Sequence, residues 1–563
     1  MARSSRTASG RFDWSTFAFN TRRSIRRNAW TTLDGLFFYE APSEDATEPE
    51  AWCYTDRLSY APGDTVAFHV SCSVPHYDVE IVRDGAAPTT VMRLSGQTGV
   101  RHPTPADAYA KGCGWPEAFT WRVPADTPSG GYVVITRFAG PDHRPREQYH
   151  WFAVRPASGA PRARRVLLIA ATGTWTAYNE WGGANHYQGL AGAEGCWPSP
   201  VLSLERPWSR GFVRLPEGAP RSSIEAPVRP GGIARYANRE WALANGYARF
   251  YASAGWATYD RQFLVWAERN GYAVDVITQH DLQFRPEVLD GYTCAVVVGH
   301  DEYWSWEMRD TIDAFVDRGG RVARFGANYM WQIRLEDNGR RQVCFKYVAR
   351  DHDPLRGTAG EPGRRLSSTW EDPLVGRPGA TTMGLNALYG IYARIGQATP
   401  RASGGFTVYR PDHWAFAGTD LYYGDLFGAE AGIVGYEVDG VDYTFRDGLP
   451  YPTHQDGAPE SLAILAMAPA VMGESDRGHW GSIPGIGDSD ALFKAMVLYD
   501  DTSPAALDTA MRGAGMVACF ARGAGEVFNA ATCEWVKGLT LGCAMTGRIT
   551  KNVLDRFLGD AAR

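Results

Sequence analysis

The segment Gly299-His300-Asp301-Glu302-Tyr303-Trp304 sets an imidazole, two carboxylates and a phenol side by side. Such a set can exchange protons near neutral pH and can offer hard oxygen atoms to a cation. It follows the apolar run Cys294-Ala295-Val296-Val297-Val298, so it stands where a buried strand ends. On a functional reading, Tyr303 or His300 enters a pocket. On a structural reading, the His and Glu cap the next helix. Tyr259 begins a helical stretch whose N-terminus faces the same sheet edge, so Tyr259 and Tyr303 can converge; the alternative is a packed ring with its hydroxyl in water. His300 and His280 are candidate metal ligands, although single histidines are more often hydrogen-bonded structural residues. The chain has no GxSxG elbow, no HExxH and no phosphate-binding GxxxxGK[ST], which removes the commonest hydrolase and nucleotide signatures.

Rigid elements must hold these residues. From Cys53 to Val154 apolar residues alternate, as in Thr65-Val66-Ala67-Phe68-His69-Val70 and at Tyr77, Val79 and Ile81. Turns such as Ala61-Pro62-Gly63-Asp64 and Pro128-Ser129-Gly130-Gly131 separate the runs. This pattern predicts an antiparallel, immunoglobulin-like β-sandwich over residues 49–155. The stretch Pro156-Ala157-Ser158-Gly159-Ala160-Pro161 reads as a linker, with a domain boundary at 156–164.

Beyond it the period changes. Val166–Ala170, Ala273–Ile277, Cys294–Val298 and Arg321–Phe325 are continuous apolar runs, as strands buried on both faces require. Arg261–Asn270 and Glu307–Arg318 have helical spacing, stopped by Gly271 and by Gly319-Gly320. Strand–helix alternation predicts a doubly wound α/β catalytic domain over residues 165–563, with the ligand site beyond the carboxyl ends of its strands. Gly432–Val438 and Gly525–Asn529 read as β-rich C-terminal additions, and Ile549–Leu558 as a closing helix. The insert from Thr172 to Ala257, rich in Trp, Gly and Pro, is too long for a plain connection and is expected to build the pocket or an interface.

Composition narrows the class. With 563 residues, more than one domain is expected. A net charge of -6 gives no field to attract nucleic acid. No apolar run of about 18 residues marks a membrane span. Residues 1–48 read as a basic arm, with seven Arg against Asp13 in the first 30 residues, either solvated or strapped onto an acidic subunit. No apolar stretch follows it to complete an export signal. Nine Cys without CxxC spacing point to reduced thiols in the cytoplasm. The 20 Trp and 27 Tyr suit pocket walls, interfaces and core alike.

Several segments together resemble the large (beta) subunit of N,N-dimethylformamidase. They are Tyr54-Thr55-Asp56-Arg57 with Pro62-Gly63-Asp64, Ser203-Leu204-Glu205-Arg206-Pro207, Tyr259-Asp260, and Gly299-His300-Asp301-Glu302-Tyr303. Gly435-Tyr436-Glu437-Val438-Asp439, Gly525-Glu526-Val527-Phe528 before Glu534-Trp535, and Ile549–Leu558 complete the ordered set. The resemblance implies a mononuclear iron, Fe(III), held by two tyrosine phenolates and a glutamate. Tyr303 matches one phenolate. Tyr259 matches the other, with Phe263 the position reached if the helix register slips. Glu371, in Ser367-Ser368-Thr369-Trp370-Glu371-Asp372, is the carboxylate, with Asp372 competing. Glu437 is the general base, and His300 orients a metal ligand by hydrogen bonding. The family's large subunit also carries a lectin-like insert in its N-terminal region, for which this chain has no counterpart.

The resulting expectation is an iron-dependent hydrolase cleaving the C–N bond of a small amide, such as an N-substituted formamide, to an amine and formate or another carboxylate. A small partner subunit and a homo- or hetero-oligomer are expected; nucleic acid and membrane are not. The rival readings are a non-catalytic carbohydrate-binding or scaffolding protein, and a metal-free hydrolase on an amidotransferase- or ThuA-like sheet, the latter by fold analogy alone.

Overall fold

The computed structural model describes residues 40, 42–43, 45, 47–160, 162–192, 195–220, 237–391, 404–434, 437–471 and 487–559; the basic arm through residue 39 lies outside them. The protein is multidomain and strand-rich, with several sheets and few long helices.

Between residues 51 and 154 the alternating runs form two sheets. Ala51–Thr55, Thr65–Cys72 and Glu117–Arg122 make an antiparallel three-stranded sheet. His76–Asp84, Thr89–Thr98, Gly130–Ala139, Pro145–Val154 and the short Ser59–Tyr60 make the other. Val66, Phe68, Val79, Ile81, Tyr132 and Phe152 share a core of their own. Val133 and Trp151, on the opposite face, join the larger core of the downstream region. Each described sheet draws its strands from one side of residues 156–164.

The central sheet downstream has nine strands: β1 (Arg165–Ala170), β2 (Ala273–Thr278), β3 (Cys294–His300), β4 (Arg321–Ala327), β5 (Phe406–Val408), β6 (Leu426–Phe427), β7 (Ala463–Val471), β8 (Arg512–Arg522) and β9 (Gly525–Asn529). Their order is β2-β1-β3-β4-β9-β8-β7-β5-β6. From β2 to β9 neighbours run parallel; from β9 outward they run antiparallel. The sheet is therefore mixed. Connection length explains the switch: Gly523 and Ala524 alone join β8 to β9, enough for a hairpin and too short for a crossover.

Four helices matter for the site: α1 (Thr172–Tyr178), α2 (Arg261–Arg269), α3 (Gln279–Phe284) and α4 (Trp306–Asp317). The α4 helix, where Glu307–Arg318 was expected, buries Met308, Ile312, Phe315 and Val316, a stripe at helical spacing. The expected strand at 432–438 is instead Val438–Gly440, and residues 435–436 lie outside the described set. The closing helix is longer than expected, Ala544–Phe557. Among the described residues, no helix is long and apolar enough to cross a membrane.

Candidate active site

β3 is buried along its whole length and paired in parallel with β1 and β4. It delivers the His-Asp-Glu-Tyr segment to the carboxyl edge of the parallel strands. Gly299, with φ +68, makes the close packing there feasible: a Cβ on it would lie 2.2 Å from Cγ of Tyr259. The Tyr259 ring therefore rests on the β3 backbone. Its own segment, Trp256–Asp260, is a π-helical turn leading into α2. After Glu302 the chain forms a short strand, Tyr303–Ser305, parallel to Trp331–Glu336. Ser305 then caps α4, accepting a hydrogen bond from the Met308 amide at 3.2 Å. The cap is thus neither His300 nor Glu302.

These two residues and Tyr303 join one chain of hydrogen bonds and ion pairs. The Tyr303 hydroxyl donates to the Tyr187 hydroxyl at 2.9 Å. Tyr187 donates to both carboxylate oxygens of Glu302, at 2.7 and 3.0 Å. The Trp331 indole N–H also donates to Glu302, at 2.7 Å. His300 Nε2 lies 3.4 Å from Glu302 and 2.8 Å from Glu437. The Asn328 amide donates to the same oxygen of Glu437 at 2.6 Å. Around the chain, the Lys346 ammonium sits 3.3 Å from the centroid of the Tyr187 ring.

Protonation follows from these partners. His300 Nδ1 is 2.8 Å from the Ser253 carbonyl, which only accepts, so Nδ1 carries a proton. Nε2 faces two carboxylates. Burial alone would lower the His300 pKa, but Glu437 and Glu302 outweigh it and raise it to about 9. His300 is therefore an imidazolium at neutral pH. Burial, reinforced by the Glu302 charge, pushes the Tyr303 phenol well above its ordinary value. Without a cation to compensate it, this phenol stays neutral. The nearby Cys533 thiol is also pushed up by burial; its sulfur, His300 and Glu437 present donor atoms within 4.8 Å of one another.

Asp301 points elsewhere. Arg324, fully buried in β4, binds Asp301 at 2.6 Å and Asp439 at 2.6 Å. Asp439 also accepts the Asn328 backbone N–H at 2.7 Å. This ion triad fixes both Asn328 and the strand that follows Glu437.

Of the residues singled out in the sequence, His300, Glu437 and Tyr303 thus share one chain. Tyr259 donates to Glu534 at 3.3 Å; burial raises Glu534 to about 7, and His300 works against that rise. Glu371 accepts from the Thr369 hydroxyl and from the Ala387 amide at 2.9 Å. Its rival Asp372 is clamped by Arg350 at 2.8 and 2.9 Å and by Ser368 at 2.7 Å. The candidate iron ligands Tyr259, Tyr303 and Glu371 therefore have different hydrogen-bond partners. Tyr187, Glu302 and Asn328 were not anticipated as site residues. Glu302 lay inside the motif already noted; Tyr187 comes from the aromatic insert, and no local pattern sets it apart.

With this geometry described, comparison with known proteins becomes informative. Residues 77–548 match a family model described as N,N-dimethylformamidase beta subunit-like, C-terminal. The N,N-dimethylformamidase beta subunit of Alcaligenes sp is 25% identical over 482 residues, covering 80% of this chain and 55% of that protein. The beta subunit from Paracoccus aminophilus is 24% identical over 482 residues, with the same coverage. The chain thus spans about half the length of the curated relatives it matches. Murine CRIg, a solved structure, is 12% identical over 19% of the chain with a TM-score of 0.14, too slight a likeness to argue from.

Proposed function

The chain belongs to the N,N-dimethylformamidase beta subunit-like family, and from that premise we propose that it hydrolyses the C–N bond of a small linear amide. An N-substituted formamide is the expected substrate, giving an amine and formate. The observation that carries the reading is the hydrogen-bonded run Tyr303–Tyr187–Glu302, which an ion-pair contact of 3.4 Å joins to the acid–base pair His300–Glu437, so that hard oxygen donors border that pair.

The donor set fits iron. Two phenols and a carboxylate, all at least partly buried, stand in series, with Tyr187 hydrogen-bonded to both Tyr303 and Glu302, and hard oxygen ligands suit a hard cation. We assign the iron to Tyr303, Tyr187 and Glu302, in place of the Tyr259 and Glu371 that the resemblance implies beside Tyr303. When bound, ferric iron would supply Lewis acidity toward the amide carbonyl and toward water. Protein groups handle the protons. Glu437 accepts the proton of the attacking water at its carboxylate. Asn328 holds that carboxylate in place, and the charge on His300 favours its ionised form until it takes the proton of the water. The proton then goes to the leaving amine nitrogen, which restores Glu437. Burial of the whole group strengthens each of these electrostatic effects.

We also read residues 49–155 as a sandwich domain and 165–563 as the catalytic domain with an α/β sheet, with the boundary at 156–164. Both relatives are named as a beta subunit, so a partner subunit is part of the proposal. All eight described cysteines are unbridged, as a cytoplasmic setting allows. The direct test is amine and formate release from N-substituted formamides by the purified protein, with metal analysis in parallel. Tyr303→Phe keeps the ring and removes the oxygen, so iron and activity should fall together while the melting temperature holds. Full iron and full activity in that variant would overturn the assignment.

A further inference from the structure

One buried carboxylate of the N-terminal sandwich reaches the segment that supports the His300 chain. Asp84 ends the strand His76–Asp84 and is fully buried. Its Oδ2 accepts from the Trp256 indole N–H at 2.8 Å and from Nε of Arg261 at 2.8 Å. Arg214 stands 3.6 Å from its other oxygen. Trp256 opens the π-helical turn, and Arg261 follows it as the first residue of α2. Gly131, paired with Asp84 across the strands, leaves room for the indole: a Cβ there would lie 2.5 Å from the Trp256 ring. The ring also packs on Trp151, with centroids 5.2 Å apart.

The segment so held touches the site twice. Ser253, three residues before Trp256, supplies the carbonyl that accepts the His300 Nδ1–H at 2.8 Å. Tyr259, three residues after Trp256, lies against the backbone of Gly299, the residue before His300. Between Ser253 and Trp256 the chain turns at Gly255, whose φ of +115 favours glycine. The Ala257 amide then donates to the Phe212 carbonyl at 3.0 Å. A shift of the Trp256 ring would therefore be passed to both contacts with the end of β3.

A buried ion pair is weak evidence for stability, because well-packed apolar groups serve as well. What Asp84 adds is direction. Donors from both ends of the turn meet one carboxylate oxygen, which sets the place of the turn against the sandwich. A second tie between the same layers acts elsewhere. Glu268 accepts from Arg83 at 2.8 Å and from the Ala86 amide at 2.7 Å, and it docks α2 about two turns beyond the π-helical turn.

We propose that Asp84 is a positioning residue for the hydrolysis. Through Trp256 and Arg261 it fixes the segment whose Ser253 carbonyl aims the His300 ring at Glu437. The role rests on the proposed amide hydrolysis, in which the charge on His300 favours ionised Glu437. It makes the sandwich part of the support of the active site.

The test follows the His300 Nδ1–H by NMR in the full chain with isotopically labelled histidine, beside kcat and KM. The signal is assigned by its absence in His300→Gln. Asp84→Ala and Trp256→Phe should broaden or lose it through faster exchange with water. They should lower kcat by roughly tenfold to a hundredfold, as a small misplacement does, with KM within about threefold of the parent. Asp84→Asn keeps an acceptor for the indole and should fall between Asp84→Ala and the parent. Glu268→Ala should keep the signal and a kcat within about threefold of the parent. No protected Nδ1–H in the parent would overturn the proposal. So would an unchanged signal or an unchanged kcat in Asp84→Ala and Trp256→Phe, or an equal loss in Glu268→Ala, which would mark weaker docking in general. Should Asp84→Ala fail to fold, Trp256→Phe and Asp84→Asn carry the same comparison. A parent with the His300 signal but no amide hydrolysis would defeat the functional reading instead, and the signal in the variants would still decide whether Asp84 holds His300.

Discussion

His300 and Asp301 are neighbours in the chain and belong to two buried ionic networks of opposite character. Asp301 meets Arg324, a permanent cation that also holds Asp439, with contacts of 2.6 Å on both sides. His300 meets Glu437 and Glu302, at 2.8 and 3.4 Å, and can lose its proton. The first network is anchored by a cation that keeps its proton, and burial raises its Asp301 only to about 6, so it stays ionic at neutral pH and holds structure. The second can lose a proton from its cation, and it borders the phenols. Strand geometry separates them: consecutive residues at the end of β3 point to opposite sides of the sheet, so one network ends up supporting the other.

The largest effect should come from the fixed network. Arg324→Met leaves two buried carboxylates without their cation, which costs roughly 3–5 kcal/mol. Urea unfolding should show that loss, or yield no folded protein. A loss below about 1 kcal/mol would mean that Arg324 does not serve as the scaffold. Glu437→Gln should do the reverse: nearly unchanged folding, iron retained, and kcat lower by roughly 10²–10⁴. A variant that loses its fold instead would place Glu437 with the scaffold.

The pH dependence separates the networks further. The folded pKa of His300, about 9, lies above its ordinary 6.5. The stability it contributes is thus complete below about 6.5 and is lost as pH rises through about 9, at most about 3 kcal/mol. The difference in melting temperature between the protein and His300→Gln should shrink across that window. A constant difference would show that the imidazolium is not held by its carboxylates.

How far the sequence reveals this depends on whether a signal is local. The apolar runs of β1 to β4 and the helical stripe of α4 are visible residue by residue, because burial on two faces and on one stripe leave different periods. The site's place beyond β3 follows from the same logic. The outer edge of the antiparallel half is not visible, because β5 and β6 are only three and two residues long. Tyr187 reaches Tyr303 by the path of a long insert, which no period encodes. Tyr259 lies in a π-helical turn, a register that a 3.6-residue period does not anticipate. Glu437 entered by family resemblance alone; its contact with His300 is a product of the fold.

The smallest effect is expected at Glu371, and it bears directly on the ligand assignment. Burial raises the Glu371 pKa to about 7 from the ordinary 4.5. An acid whose folded pKa is raised loses folding stability as pH climbs from about 4.5 through about 7. Gln at this position still accepts from Thr369 and from the Ala387 amide, and it carries no charge to bury. Glu371→Gln should therefore be neutral or slightly stabilising at pH 8, with iron content and kcat within about threefold of the parent. Glu302→Gln, in contrast, removes a carboxylate that accepts from Tyr187 and Trp331 and should empty the site of iron. Metal analysis of the two variants side by side decides between them. If Glu371→Gln loses the iron and Glu302→Gln keeps it, the carboxylate ligand is the one the family resemblance implied, and the chain from Tyr303 to Glu437 must be reassigned to proton handling alone.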